Sequence, residues 1–147
     1  LDFQGGDDMR ILAGALGLAL LTGCATSPVP LSEAIQAPSE RVTGYQKPVD
    51  NGGTVIVVRD RGFIGSGCYT TVFLNGNPVA RLDTQEKAAF YVPAGHWTLG
   101  AGVDGSALCS LGNERLEDAV IIEPGQTKKY RIYTSSEGEV GIKATSF

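Results

Sequence analysis

Val72-Phe73-Leu74-Asn75-Gly76-Asn77-Pro78-Val79-Ala80 is the stretch on which the fold of this chain turns. Asn75-Gly76 supplies two neighbouring residues able to hold positive φ, which a type I′ turn requires and whose twist suits two paired strands. Before the turn the side chains alternate, with Thr70, Val72 and Leu74 on one face and Tyr69, Thr71 and Phe73 on the other. Cys68 to Leu74 is therefore expected to be a strand that returns antiparallel through Val79 to Asp83. The same pattern of short β-branched and aromatic runs, cut by Gly, Asn and Pro about every ten residues, holds on both sides of the hairpin. It predicts further strands at Thr54–Asp60, Lys87–Val92, Trp97–Val103, Ala119–Glu123, Lys128–Thr134 and Val140–Ser146, with turns at Pro93-Ala94-Gly95 and Pro124-Gly125-Gln126. After Gly53 no ten-residue stretch shows a 3.6-residue period, so helix is confined to the residues before it. The expected fold is all-β: a single small antiparallel β-sandwich of about eight strands over residues 54–147.

Composition agrees. The chain has 147 residues, enough for one domain. With 42 % hydrophobic and 19 % charged residues it is globular, and 20 glycines and 7 prolines suit a fold rich in turns. The net charge is −4 and the 12 Lys and Arg are scattered, so the chain lacks the basic stripe that a nucleic-acid partner needs.

The N-terminal part fixes an expected compartment. From Met9 the order is a basic residue, Arg10, an apolar run from Ile11 to Leu21, then Thr22-Gly23-Cys24. The run is shorter than the roughly 20 residues that span a bilayer and is followed by small residues, which is signal-peptide order. Leu21-Thr22-Gly23-Cys24 resembles a bacterial lipobox, which implies a signal peptide over 9–23, cleavage before Cys24 and lipidation of its thiol. The rival is an ordinary secretory signal that happens to contain Cys24. Several acyl chains on one residue hold a membrane stably, each buried methylene contributing about 0.8 kcal/mol. Ala25 stands where inner-membrane retention would call for Asp, so the resemblance implies the outer membrane, facing the periplasm. Residues 1–8 are acidic and do not begin with Met, and are read as a cloning remnant or a misplaced start. Residues 25–53, polar and punctuated by Pro28, Pro30, Pro38 and Pro48, read as a tether able to reach about 90 Å extended or about 30 Å as a coil. Within it, residues 38–42 form either one helical turn docked through Val42 and Tyr45 or part of a featureless spacer.

If Cys24 is lipidated, Cys68 and Cys109 remain as an even pair in an oxidising compartment, and a disulfide is the economical reading. The rival is a reactive thiol or metal pair. Against it, Cys-x-x-Cys is absent and His96 is the sole histidine, so neither a metal nor another cofactor is expected. Gly62-Phe63-Ile64-Gly65-Ser66-Gly67 invites comparison with a phosphate loop, but it runs into a strand instead of opening a helix and no Gly-Lys-Ser/Thr follows. Phe63 and Ile64 are large apolar residues among glycines and charges. Exposed, they would make a partner-binding tip; buried, they would cap the core. Lys129, Arg131 and Tyr133 share one strand face, read either as a wet surface or as a small patch for an anionic partner such as a glycan or an acidic protein surface. His96 in a turn is read as structural, a hydrolase built on it being the rival. Glu114, Glu117, Asp118, Glu137 and Glu139 are spaced as in solvated loops, without a calcium-loop pattern.

The hairpin stretch, followed by Phe90-Tyr91-Val92-Pro93-Ala94-Gly95-His96-Trp97-Thr98-Leu99, resembles the strand, Asn/Asp-Gly turn, strand and Pro-Gly-His-hydrophobic pattern of PEGA-like domains. It is also similar to bacterial lipoproteins that carry such a domain after a lipobox. The resemblance covers roughly residues 38–147 and implies a small β domain used for binding or scaffolding, without a shared catalytic site. The function expected is thus a lipid-anchored, non-catalytic periplasmic module whose partner is the membrane through Cys24 and an unknown envelope protein or peptidoglycan. The alternatives are an inhibitor of a cell-wall lytic enzyme of lysozyme type and a lipoprotein subunit of an envelope-spanning machine.

Overall fold

The computed structural model describes residues 25–103, 109 and 115–147. Residues 1–8, the signal peptide read over 9–23, the lipidation site Cys24 and Glu114 lie outside the described residues. The strands are β1 (Ile35–Gln36), β2 (Gly52–Arg59), β3 (Thr70–Leu74), β4 (Asn77–Leu82), β5 (Glu86–Pro93), β6 (Gly95–Val103), β7 (Leu116–Ile122), β8 (Thr127–Thr134) and β9 (Val140–Ala144). The eight strands expected from the sequence are all present, and β1 is additional.

The decisive hairpin forms as its turn chemistry demands. Asn75 and Gly76 have φ of +48° and +77°, and β3 and β4 pair antiparallel with Thr70 opposite Leu82 and Val72 opposite Ala80. The strands assemble into two sheets, one in the order β1-β5-β2-β8-β9 and the other β4-β3-β6-β7. The second sheet is antiparallel throughout. The first is mixed, because β1 runs parallel to β5 and β2 parallel to β8. Entry of β2 and β8 from the same end is a matter of topology, to which a period of two is blind.

Alternation then builds the core. From the first sheet Val55, Val57, Ala88, Phe90, Val92, Tyr130 and Ile132 point inward, and from the second Val72, Leu74, Leu99, Ala101, Val120 and Ile122 meet them. Each fully buried side chain of Val, Leu, Ile or Phe type contributes about 1.5–3 kcal/mol relative to exposure. At β9 the approach is close: a Cβ on Gly141 would run into the Tyr133 ring.

The segment read as a tether is largely built into this sandwich. It crosses the first sheet from the β8 side to the β5 edge. The Thr26 N–H donates to Thr134 O at 3.1 Å, Ser27 and Arg61 exchange backbone hydrogen bonds of 2.8 and 3.0 Å, and the Ile35 N–H donates to Gln85 O at 2.8 Å. Val29 and Val58 are buried without belonging to the core between the sheets, as expected where this strap lies over the outer face of β2. The chain then makes a 3-10 turn at Ser39–Arg41 behind Pro38, places Val42 opposite Ala80 beside β4, and returns to β5 where the Tyr91 N–H donates to Tyr45 O at 2.8 Å. It thereby joins the β5 edge of one sheet to the β4 edge of the other and covers two edges that would otherwise invite pairing.

Strand registers, with the Arg59 contacts to Cys68 and Leu82, gather the strand ends into two groups, one at each end of β2. Thr26, the 60–68 loop, the Leu82–Glu86 turn, Cys109 and the Thr134–Val140 turn lie at one. The turns at Asn75-Gly76, Pro93–Gly95 and Glu123–Gln126 lie at the other, about 24 Å away along β2 at roughly 3.4 Å per residue.

Candidate functional site

Two consecutive residues at the close of β2 organise the first end, and alternation sends their side chains opposite ways. Arg59 turns inward. It is 3 % exposed and donates to three carbonyl oxygens: Cys68 at 2.7 Å, Leu82 at 2.8 Å and Gly65 at 2.7 Å. Burial lowers its pKa from the ordinary value, opposed by the charges of Asp83 and Glu86. Among the described residues it makes no ion pair, so its direct contacts are with backbone carbonyls, and the charges of Asp83 and Glu86 act on it from a distance. The 62–68 loop is therefore wrapped around a guanidinium. It is tightened by the Ser66 N–H donating to Phe63 O at 3.1 Å and the Cys68 N–H to Gly65 O at 3.2 Å.

Asp60 turns outward, under the strap, and is 1 % exposed. Its Oδ2 accepts from the Thr26 hydroxyl at 2.8 Å and from Arg131 at 3.1 Å, while Oδ1 has no partner among the described residues. Burial raises the Asp60 pKa, and the Thr26 hydroxyl and the charges of Arg131 and Lys143 hold it back. The Thr26 hydroxyl also accepts the Thr134 N–H at 2.8 Å. This one residue clips the strap to both β2 and β8.

The disulfide between Cys68 and Cys109 is formed, with 5.6 Å between the Cα atoms. It fixes the far side of the loop and closes a separation of 41 residues. Phe63 is 92 % exposed at the loop tip and Ile64 is half-buried beside it, so Phe63 does not cap the core. Phe63, Ile64 and the disulfide share this end with Thr26. Lys129 and Arg131 lie on β8. They share a face as expected, but Arg131 turns to Asp60 and is mostly covered, its charge spent in that ion pair. Lys129 is half-buried in a shallow groove with Thr127, Tyr130 and Thr145. His96 is exposed at the opposite end, paired with Ile121.

A second constellation carried no sequence signal. The guanidinium groups of Arg41 and Arg81 both pack over the Tyr69 ring, 4.6 and 4.8 Å from its centre. Beside it a cleft of about 280 Å³ is lined by Arg41, Thr43, Thr71, Ala80 and Arg81. Arg41 forms a fork with Glu86, both contacts 2.7 Å, and also donates to Arg81 O. Burial pushes the Glu86 carboxyl up, but the Arg41 fork and the Asp83 N–H more than offset this and leave its pKa below the ordinary value. Thr71 lines the cleft, and its hydroxyl is buried with no partner among the described residues. Only contact between the strap and β3–β4 creates this site, which is why no local pattern announces it.

Among the described residues no helix is long and apolar enough to cross a membrane, and no group of three or more His, Cys, Asp or Glu converges as a metal site. The chain matches no protein-family model and no curated protein at a significant level.

Proposed function

We propose that this chain is a lipid-anchored, non-catalytic binding module of the bacterial cell envelope, acylated at Cys24 and held at the outer membrane facing the periplasm. The observation that carries this reading is the order of Arg10, the apolar run Ile11–Leu21 and Leu21-Thr22-Gly23-Cys24, and the Thr26 clip sets how near the domain would lie to such an anchor. Cys24, the residue placed for acylation by the run of residues before it, stands two residues from a side chain hydrogen-bonded to the buried carboxylate of Asp60. Two residues span at most about 7 Å. An anchor at Cys24 is therefore joined almost directly to the rigid sandwich, and the domain rests against the leaflet that holds its lipid.

The reading assigns roles to both ends. The Thr26 end faces the membrane. The far end, with the turns at Asn75-Gly76 and Pro93–Gly95, is presented to the compartment. There Trp97 packs edge-on against Tyr45 with ring centres 5.3 Å apart and donates to Pro93 O, and Ile121 on the outer strand β7 is 51 % exposed. A rigid aromatic and aliphatic surface of this kind suits an envelope protein better than a charged glycan. The test is metabolic labelling with a palmitate analogue in cells making the full chain or its Cys24→Ser variant. The expected result is label and membrane fractionation for the unaltered chain, both lost in C24S. An unlabelled chain that fractionates away from the membrane overturns the reading.

A further inference from the structure

We propose that Phe63 is a second membrane contact, a side chain that enters the boundary between headgroups and acyl chains in the leaflet that holds the Cys24 lipid. This rests on the lipid-anchor reading and adds to it a site and an occupant. Single exposed apolar residues are ordinary; the placement of this one is not. Gly62 packs against Thr26 so closely that a Cβ there would lie 2.7 Å from the Thr26 methyl. Phe63 is thus next to the point where the chain from Cys24 enters the fold. The loop is fixed from inside by Arg59 and from outside by the Cys68–Cys109 bond, so the backbone that carries the ring has little ordering left to lose. The covalent anchor is at most two residues from Thr26, and an aromatic ring held that close to a bilayer meets the depth of about 5–10 Å that interfacial side chains occupy.

Charge at this end points to an apolar contact. Arg61 is paired with Glu33 at 3.3 Å, Arg131 with Asp60, and Glu137 and Glu139 lie exposed on the neighbouring Thr134–Val140 turn. Anionic headgroups therefore gain little here. The contact is expected to be as good on zwitterionic phosphatidylcholine as on bilayers containing phosphatidylglycerol.

The experiment uses the full acylated chain carrying Phe63→Trp, a change made at an exposed tip that the core does not feel. It is reconstituted into phosphatidylcholine vesicles whose acyl chains carry bromine near the glycerol. Trp97, at the far end, supplies the internal control and is measured alone in the unaltered chain. The expected result is that the emission added by F63W lies to the blue and falls about twofold or more with brominated lipid, while the Trp97 emission does not change. Mass spectrometry of the same sample reports acylation of Cys24. Acylated protein whose added emission stays at the solvent wavelength and unquenched overturns this inference alone and leaves the loop to a protein partner. Protein without acyl chains on Cys24 overturns the anchor reading and this inference together.

Discussion

Thr26→Val keeps the shape of the side chain and removes its hydroxyl, and its cost can be worked out from the clip. The hydroxyl donates to Asp60 Oδ2 and accepts the Thr134 N–H, both at 2.8 Å. Losing a hydrogen bond to a charged group costs about 1.5–3 kcal/mol, and leaving a buried N–H without a partner costs about 1–3 kcal/mol. The two losses share one atom and do not add fully, so the expected destabilisation is about 2–4 kcal/mol. Asp60 is the larger liability, since among the described residues Oδ1 already has no partner and the carboxylate would keep only Arg131. The assay is urea unfolding with the disulfide intact, where a slope of about 1–3 kcal/mol per molar translates this loss into a midpoint lowered by roughly 1–2 M. In an Asp60→Asn background the same substitution should cost at least about 1 kcal/mol less, because the charged acceptor is gone. Amide exchange at Ser27 and Arg61 should quicken in step as the strap loosens. A midpoint shift below about 0.3 M, or equal shifts in both backgrounds, would refute the claim that the hydroxyl clips the strap to the sheet.

Replacing Cys68 and Cys109 together by Ser opens a loop with a separation of 41 residues; chain entropy puts the loss at about 4 kcal/mol, read as a lower urea midpoint. Arg59→Met strands the carbonyls of Gly65, Cys68 and Leu82 and should cost about 3 kcal/mol or more, with amide exchange accelerated first in the 62–68 loop. The two buried carboxylates should give opposite pH signatures. The folded pKa of Glu86 is lowered, so its contribution is present above its unfolded pKa of about 4.3 and is lost as pH falls through the folded value; Glu86→Gln should abolish that acid-side loss. The folded pKa of Asp60 is raised, so its contribution is present below its unfolded pKa of about 3.9 and is lost as pH rises through the folded value. Asp60→Asn should flatten that decline in a series of urea midpoints against pH.

The hairpin and the eight long strands were legible because turn chemistry and a period of two are local signals, and Asn75-Gly76 states both at once. The disulfide was legible by parity once Cys24 was set aside. The strap was not, because residues 25–53 contribute only a few buried apolar side chains, among them Val29, Ala37 and Val42, too far apart to show a period. Its two-residue strand β1 has both side chains exposed, and the rest of its hold is backbone hydrogen bonding to strand ends. That cover is also what converts Arg131 from a surface cation into the partner of Asp60. Arg59 and Asp60 look in the sequence like charges flanking a solvated loop. Their burial follows from sitting at the close of a central strand, where one faces the opposite sheet and the other the strap. The exposure of Phe63 depends on the inward grip of Arg59 on its loop, which no spacing reports.

Neutron reflectometry of the acylated full chain on a supported phosphatidylcholine bilayer would measure where the protein layer begins. A domain clipped at Thr26 predicts protein density starting at the headgroups, with the Phe63 end in contact with them. A hydrated gap of about 30 Å between headgroups and protein, as a flexible tether over residues 25–53 would leave, would contradict it.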